Sequence, residues 1–110
     1  MFVDARILAE YRGRDRRVAH GGHLPGAVNV DWTMNIDPER KVRLRPAGIL
    51  RQMYERLGVT RDREVVVYCQ DMKRAAHIYV TLKTLGYERV SGYPGGWSEW
   101  GNLPDTPKFS

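Results

Sequence analysis

The run Glu64-Val65-Val66-Val67-Tyr68-Cys69 constrains this chain more than any other stretch of it. Val65 to Tyr68 do not alternate between apolar and polar, so they cannot lie with one face in water. They suit a short strand buried on both faces, as at the centre of a parallel sheet. Parallel strands need crossover connections, usually helices. Both flanks supply one. Upstream, Pro46 suits the first turn of a helix, Ile49, Leu50, Met53 and Leu57 follow at helical spacing, and Gly58 suits its C-terminal cap. Downstream, Ala75, Ile78, Tyr79, Leu82 and Leu85 mark a second helix, with Gly86 behind it.

The rest of the chain continues the alternation. Met1 to Arg6 reads as a short buried strand ending at Asp4, and residues 7–13 as a short helix stopped by Gly13. A turn-rich stretch leads into a strand over residues 27–30, and a long loop is expected over residues 31–45. Val90 lies in one more short strand. Gly95-Gly96-Trp97 opens a last short helix with Trp97 and Trp100 on one face. Strands alternating with helices predict an α/β layer fold, a mainly parallel sheet of four to five short strands flanked by helices. At 110 residues the chain has room for one such domain, residues 1–110, with one modest core.

Composition removes several function classes. No apolar run approaches the ~20 residues of a membrane helix, and no apolar segment follows Met1 as a secretory signal would. Cys69 is the only cysteine, which excludes an internal disulfide and fits a reducing cytoplasm. The formal charge of +5 favours anionic ligands without naming them. Arg12, Arg14, Arg16 and Arg17 form the densest basic cluster, but Gly13 and Asp15 interrupt it and no aromatic residue is interleaved. It reads as a solvated loop and not as a nucleic-acid surface. No Cys/His cluster could hold a metal.

In open α/β sheets, ligands bind beyond the carboxyl ends of the strands. Cys69 stands at that point, between a central strand and a helix that lacks a Ser or Thr cap. The loop amides and the positive end of the helix dipole can converge there, so a bound anion is expected to satisfy the uncapped donors. The same field favours thiolate over thiol. A free cysteine titrates near ~8.5, and comparable sites bring it to between ~3.5 and ~7.5. Lys73 and Arg74 add to the effect and Asp71 opposes it. Cys69 is thus a candidate nucleophile; a lone cysteine is otherwise a small buried hydrophobe.

These residues carry a resemblance. Cys69-Gln70-Asp71-Met72-Lys73-Arg74-Ala75-Ala76 resembles the active-site loop of rhodanese sulfurtransferases. The stretch from Gly21 to Trp32 is similar to that family's Gly-His-x-Pro-Gly-Ala motif, Val3 to Arg6 to its strand-end Asp-x-Arg, and Gly92 to Pro104 to its Gly-Gly-Trp-x-x-Trp segment. The wording is nearest to the domains of tandem thiosulfate and mercaptopyruvate sulfurtransferases. The resemblance implies the rhodanese-like three-layer fold. It also implies a thiosulfate sulfurtransferase-type enzyme in which the Cys69 thiolate takes a sulfane sulfur as a persulfide and passes it on. No cofactor is implied. The implied partners are a small anionic donor such as thiosulfate, a thiol or cyanide acceptor, and either a second rhodanese domain or a second copy in a homodimer. Gln70, Asp71, Met72, Lys73 and Arg74 are the implied substrate-binding loop, and Arg6 and Trp32 are further candidates at the pocket.

Two alternatives stand beside this reading. A cysteine phosphatase or arsenate reductase of related fold carries five residues between Cys and Arg; here four separate Cys69 from Arg74, a tighter ring suited to one sulfur atom. A non-catalytic binding module would have no need of Cys69 and Arg74. Three departures from the family pattern are visible. Met72 stands where many members have glycine, and Asp71 stands where some thiosulfate enzymes have a cation, so an acid there is expected to repel thiosulfate. The additional edge strand and helix with which such domains usually begin do not precede Val3 to Arg6. Glu10 is a candidate acid for Arg6. His23 is expected to be a hydrogen-bonding residue of its turn and not a general base, and His77 to pack.

Overall fold

The computed structural model describes residues 1–40 and 43–110. β1 (Phe2–Asp4), β2 (Val28–Asn29), β3 (Val65–Tyr68) and β4 (Val90–Gly92) form one sheet in the order β2-β1-β3-β4. Every pairing is parallel, with Val3 opposite Val28 and Val67, and Val65 opposite Val90. The valine run therefore does lie inside the sheet, between β1 and β4. The helices are α1 (Leu8–Tyr11), α2 (Ala47–Arg56), α3 (Lys73–Thr84) and α4 (Gly96–Trp100).

Side chains alternate across β3 and so feed two cores. Val65, Val67 and Cys69 join Leu50 and Tyr54 of α2 and Ala75, Ile78 and Leu82 of α3. Tyr68 joins Leu24, Ala27 and Trp97 of α4, with Tyr11 of α1 packed against them. Helices thus cover both faces, in three layers. Each fully buried Val, Leu or Ile contributes about 1.5–3 kcal/mol. Gly58 and Gly86, at φ 80° and 93°, end α2 and α3 in the left-handed conformation that their glycines predict.

The structure differs from the sequence reading at three places. On α2 the core takes Leu50 and Tyr54, while Ile49 and Leu57 are 51% and 37% exposed. Tyr54 donates its hydroxyl to Asn35 Oδ1 at 2.6 Å, at the end of the 3-10 turn Trp32–Asn35. The strip expected in the core instead lines a groove of about 500 Å³ with Met34, Arg45, Gln52, Met53 and Arg56. The expected loop 31–45 begins with a 3-10 turn, Trp32–Asn35, whose first amides are capped by Asp31 (Thr33 N to Oδ1, 3.0 Å). The part of that loop at 41–42 lies outside the described residues. Trp97 is a core anchor at 1% exposed, but Trp100 is half-buried and donates its indole N–H to the Pro107 carbonyl at 2.8 Å. No helix among the described residues is long and apolar enough to cross a membrane.

Candidate active site

Cys69 directly follows β3, and the chain turns through residues 70–72 into α3. That turn is anchored from behind. The carbonyls of Cys69 and Gln70 accept the amides of Trp97 and Ser98, at 2.8 and 2.9 Å, from the first turn of α4. Gly96 makes the approach feasible. Its φ is +54°, and a Cβ there would run into the carbonyl oxygens of Cys69, Gln70 and Asp71. Only glycine combines that dihedral with that clearance. The loop is therefore seated against α4.

Cys69 is wholly enclosed, at 0% exposed. Its Sγ accepts the Ala75 amide at 3.3 Å and has the Asp71 carboxylate 3.9 Å away as acceptor for its S–H. Asp71 Oδ1 also accepts the amides of Met72 and Lys73, at 2.6 and 3.0 Å. Those amides, Lys73 first and then Met72, hold the Asp71 carboxyl below the usual carboxylate range. The expectation that an external anion fills the uncapped helix start is thereby corrected. Asp71 itself is the anion, two residues before the first residue of α3, its carboxylate accepting the next two amides in an Asx-type turn. Gln70 is half-buried, and its Oε1 is enclosed without a partner among the described residues.

Arg74 is held in place by an acid the sequence reading had assigned elsewhere. Its guanidinium donates to both carboxylate oxygens of Glu10, Nη1 to Oε1 at 2.6 Å and Nη2 to Oε2 at 3.0 Å. Glu10 is 1% exposed, and Arg17 approaches it at 3.8 Å from the surface. Burial pushes the Glu10 carboxyl up, but the Arg74 hydrogen bonds and charge, with Arg17 and Arg6 behind, outweigh it and leave the group below its ordinary value. Glu10 in turn raises the already high value of Arg74.

Arg6 pairs with Asp4 and not with Glu10. Nε and Nη2 grip the Asp4 carboxylate at 2.8–3.2 Å, and Nη2 donates to the Gly22 carbonyl at 2.6 Å. The guanidinium stacks 4.9 Å from the Trp97 ring, and the residue is 1% exposed. A side chain so committed supports the turn before β2 from below and has little left to offer a ligand from solvent. Trp32 lies half-buried with its ring edge-to-face on His77 of α3, at 5.2 Å. Burial pulls the His77 value down. Met72 takes φ −142°, which any residue adopts, and lays its side chain over Gly92 at the end of β4. Lys73 is exposed at the start of α3. His23 stacks flat on Tyr11 at 3.6 Å and uses Nδ1 on the Tyr11 carbonyl, the structural part expected of it.

The structure thus gathers Cys69, Gln70, Asp71, Lys73 and Arg74 around one turn, with Met72 beside it, and leaves Arg6 beneath the opposite face. Sequence reasoning offered Glu10 to Arg6 and not to Arg74, and it missed Gly96. A charged residue in the middle of a short, otherwise apolar helix was the available sign for Glu10. The Gly95-Gly96 pair before Trp97 was the sign for Gly96.

Fold and site together define a parallel α/β domain that holds its single cysteine on a turn beyond a central strand. The chain belongs to the rhodanese-like domain family, whose profile matches residues 1–103. It is 52% identical over 106 residues to a thiosulfate sulfurtransferase of Azotobacter vinelandii, covering 94% of this chain and 38% of that protein. It is 48% identical over 104 residues to one of Pseudomonas aeruginosa, with the same coverage of 94% and 38%. A sulfur carrier protein, TtuD, of Thermus thermophilus is 40% identical over 114 residues, covering 96% and 39%. The chain thus spans well under half the length of these relatives. Among solved structures, wild-type EanB superposes with a TM-score of 0.87 at 23% identity, covering 99% of this chain and 27% of that one. An EanB variant bearing a cysteine persulfide, with ergothioneine, superposes at 0.88 and 23% identity, covering 99% and 28%.

Proposed function

We propose that this domain is a sulfurtransferase in which Cys69 carries sulfur as a persulfide. The observation that carries the reading is the seating of Cys69. The nucleophile follows a buried strand on a turn that α4 anchors from behind, with an amide on Sγ at 3.3 Å and Arg74 held nearby by Glu10. The Cys69 thiolate attacks the sulfane sulfur of a donor such as thiosulfate. A new S–S bond forms, the donor's S–S bond breaks, and its electron pair leaves with sulfite. An acceptor thiolate or cyanide then attacks the outer sulfur and releases the Cys69 thiolate. Each half is a displacement at sulfur, balanced without a metal, oxidant or organic cofactor. Gln70, Lys73 and Arg74 are the donor-binding side chains of this reading, and Trp32 flanks them across His77. The names of the curated relatives support the reaction class. The persulfide on the EanB variant supports the intermediate on this fold.

The four-residue interval from Cys69 to Arg74 favours a sulfur atom over a phosphate in the ring. The partners of this reading are a small sulfur donor, a thiol or cyanide acceptor, and either a second domain of this family or a second copy of the chain, in the cytoplasm.

Intact mass spectrometry tests the reading. After incubation with thiosulfate, mercaptopyruvate or an organic persulfide, the protein gains one sulfur atom, cyanide removes it, and Cys69→Ser gains none. Cys69-dependent hydrolysis of p-nitrophenyl phosphate without any sulfur gain would replace this reading with the phosphatase one.

A further inference from the structure

Asp71 stands in front of the Cys69 sulfur. Its Oδ1 holds the amides of Met72 and Lys73 at 2.6 and 3.0 Å and stands 3.9 Å from Sγ. The contact suits a thiol, whose S–H points at the carboxylate. It does not suit a persulfide. An S–S bond is about 2 Å long, so an outer sulfur placed on the line from Sγ to Oδ1 would lie only about 2 Å from Oδ1. Non-bonded atoms do not approach so closely, and both groups are anions. The two occupants exclude one another. The enclosure of Cys69, at 0% exposed, agrees with a turn closed by its own side chain. Asp71 is solvent-exposed, so it can rotate outward without disturbing the core.

We propose that Asp71 is a built-in competitor for the sulfur cradle. It closes over the Cys69 thiol and is evicted when Cys69 takes up sulfur. It then shortens the life of the persulfide and favours passing the sulfur on. This rests on the persulfide reading above. The chemistry is unchanged by it: the donor's S–S bond still breaks as the Cys69 S–S bond forms, and the acceptor thiolate still takes the outer sulfur. Asp71 moves no proton or electron pair. Its part is to compete for two amides and to place a negative charge beside a second one. It is a positioning residue whose effect falls on the sulfur-loaded state.

The test compares the intact chain with Asp71→Asn, Asp71→Ala and Cys69→Ser. Asparagine keeps an oxygen for the helix start and removes the charge; alanine removes both. Each protein is loaded with thiosulfate, freed of donor by desalting, and followed by intact mass alone and with glutathione as acceptor. The persulfide of Asp71→Asn is expected to outlast that of the parent by about fivefold and to pass to glutathione correspondingly more slowly. Thermal unfolding provides the contrast. A mere helix cap predicts loss of melting temperature in Asp71→Ala and no change of persulfide life in Asp71→Asn. Loading of all three cysteine-containing proteins with lifetimes within about 1.5-fold of each other overturns the competition and leaves the sulfurtransferase reading intact. If the parent gains no sulfur from thiosulfate, mercaptopyruvate or an organic persulfide, the sulfurtransferase reading falls and the competition falls with it.

Discussion

Replacing Glu10 by Gln separates the support of Arg74 from its charge. The carboxylate is 1% exposed and grips both nitrogens of the guanidinium, at 2.6 and 3.0 Å. Removing one partner of a buried pair costs about 3–5 kcal/mol, because the other is left uncompensated. Two features reduce that figure here. The Arg74 side chain is 21% exposed and can recover water, and glutamine retains one acceptor oxygen. The expected loss at pH 7 is therefore about 2 kcal/mol. For a domain of this size that lowers the melting temperature by about 8–16 °C. Glu10→Ala should lose more, about 3 kcal/mol, since no acceptor remains. Arg17, at 3.8 Å and half exposed, rescues little.

The same pair makes stability depend on pH with a definite sign. Glu10 titrates lower in the folded chain than a free glutamate does, because the Arg74 hydrogen bonds and charge outweigh its burial. Its contribution is thus complete above the unfolded value and is lost as pH falls through the folded one. Urea unfolding of the parent and Glu10→Gln, at neutral pH and stepwise into the acid range, should show curves that differ near pH 7 and converge in acid. Equal midpoints at pH 7 would refute the ledger, as would a gap that persists undiminished in strong acid.

Two further outcomes follow from the supports of the turn. Gly96→Ala places a methyl group among the carbonyls of Cys69, Gln70 and Asp71 at φ +54°, so it should cost at least about 1–3 kcal/mol and slow alkylation and sulfur loading of Cys69 far more than a remote change of equal stability; unaltered loading would show that α4 does not hold the turn. Arg6→Lys cannot reproduce the two-nitrogen grip on Asp4 or the stacking on Trp97, so it should cost about 2–4 kcal/mol and perturb tryptophan fluorescence; an unchanged urea midpoint would mean that the buried arginine is dispensable.

Much of the fold was legible because its signals are local. The valine run reports two-sided burial in a single glance along the chain, and β3 indeed lies between β1 and β4. Gly58 and Gly86 mark helix ends because only their own dihedrals are at issue. The errors lie where the answer depends on a distant neighbour. Ile49 and Leu57 obey helical periodicity, yet periodicity does not say which part of an apolar strip the sheet covers, and Tyr54 took the place by finding Asn35. Glu10 and Arg74 are 64 residues apart, so nothing local to either names its partner. Asp71 was read as a charge facing a substrate, and its short side chain instead reached the next two amides of its own backbone. Arg6 was offered to the pocket because it follows a strand end. Its commitment to Asp4, two residues back, is a local pair that the sequence reading weighed only in general terms.

The anchoring of the cysteine turn on α4 also sets an order of events during synthesis. β1 and β3 can pair, and α3 can dock, once residue 84 has left the ribosome. The amides that receive the Cys69 and Gln70 carbonyls belong to Trp97 and Ser98, translated more than two dozen residues after the cysteine. Until they emerge, Cys69 stands on a nascent chain whose turn lacks this backing. That backing arrives late, with the Gly-Gly-Trp segment. The seat of the cysteine is thus completed only by α4, the last helix of the described residues.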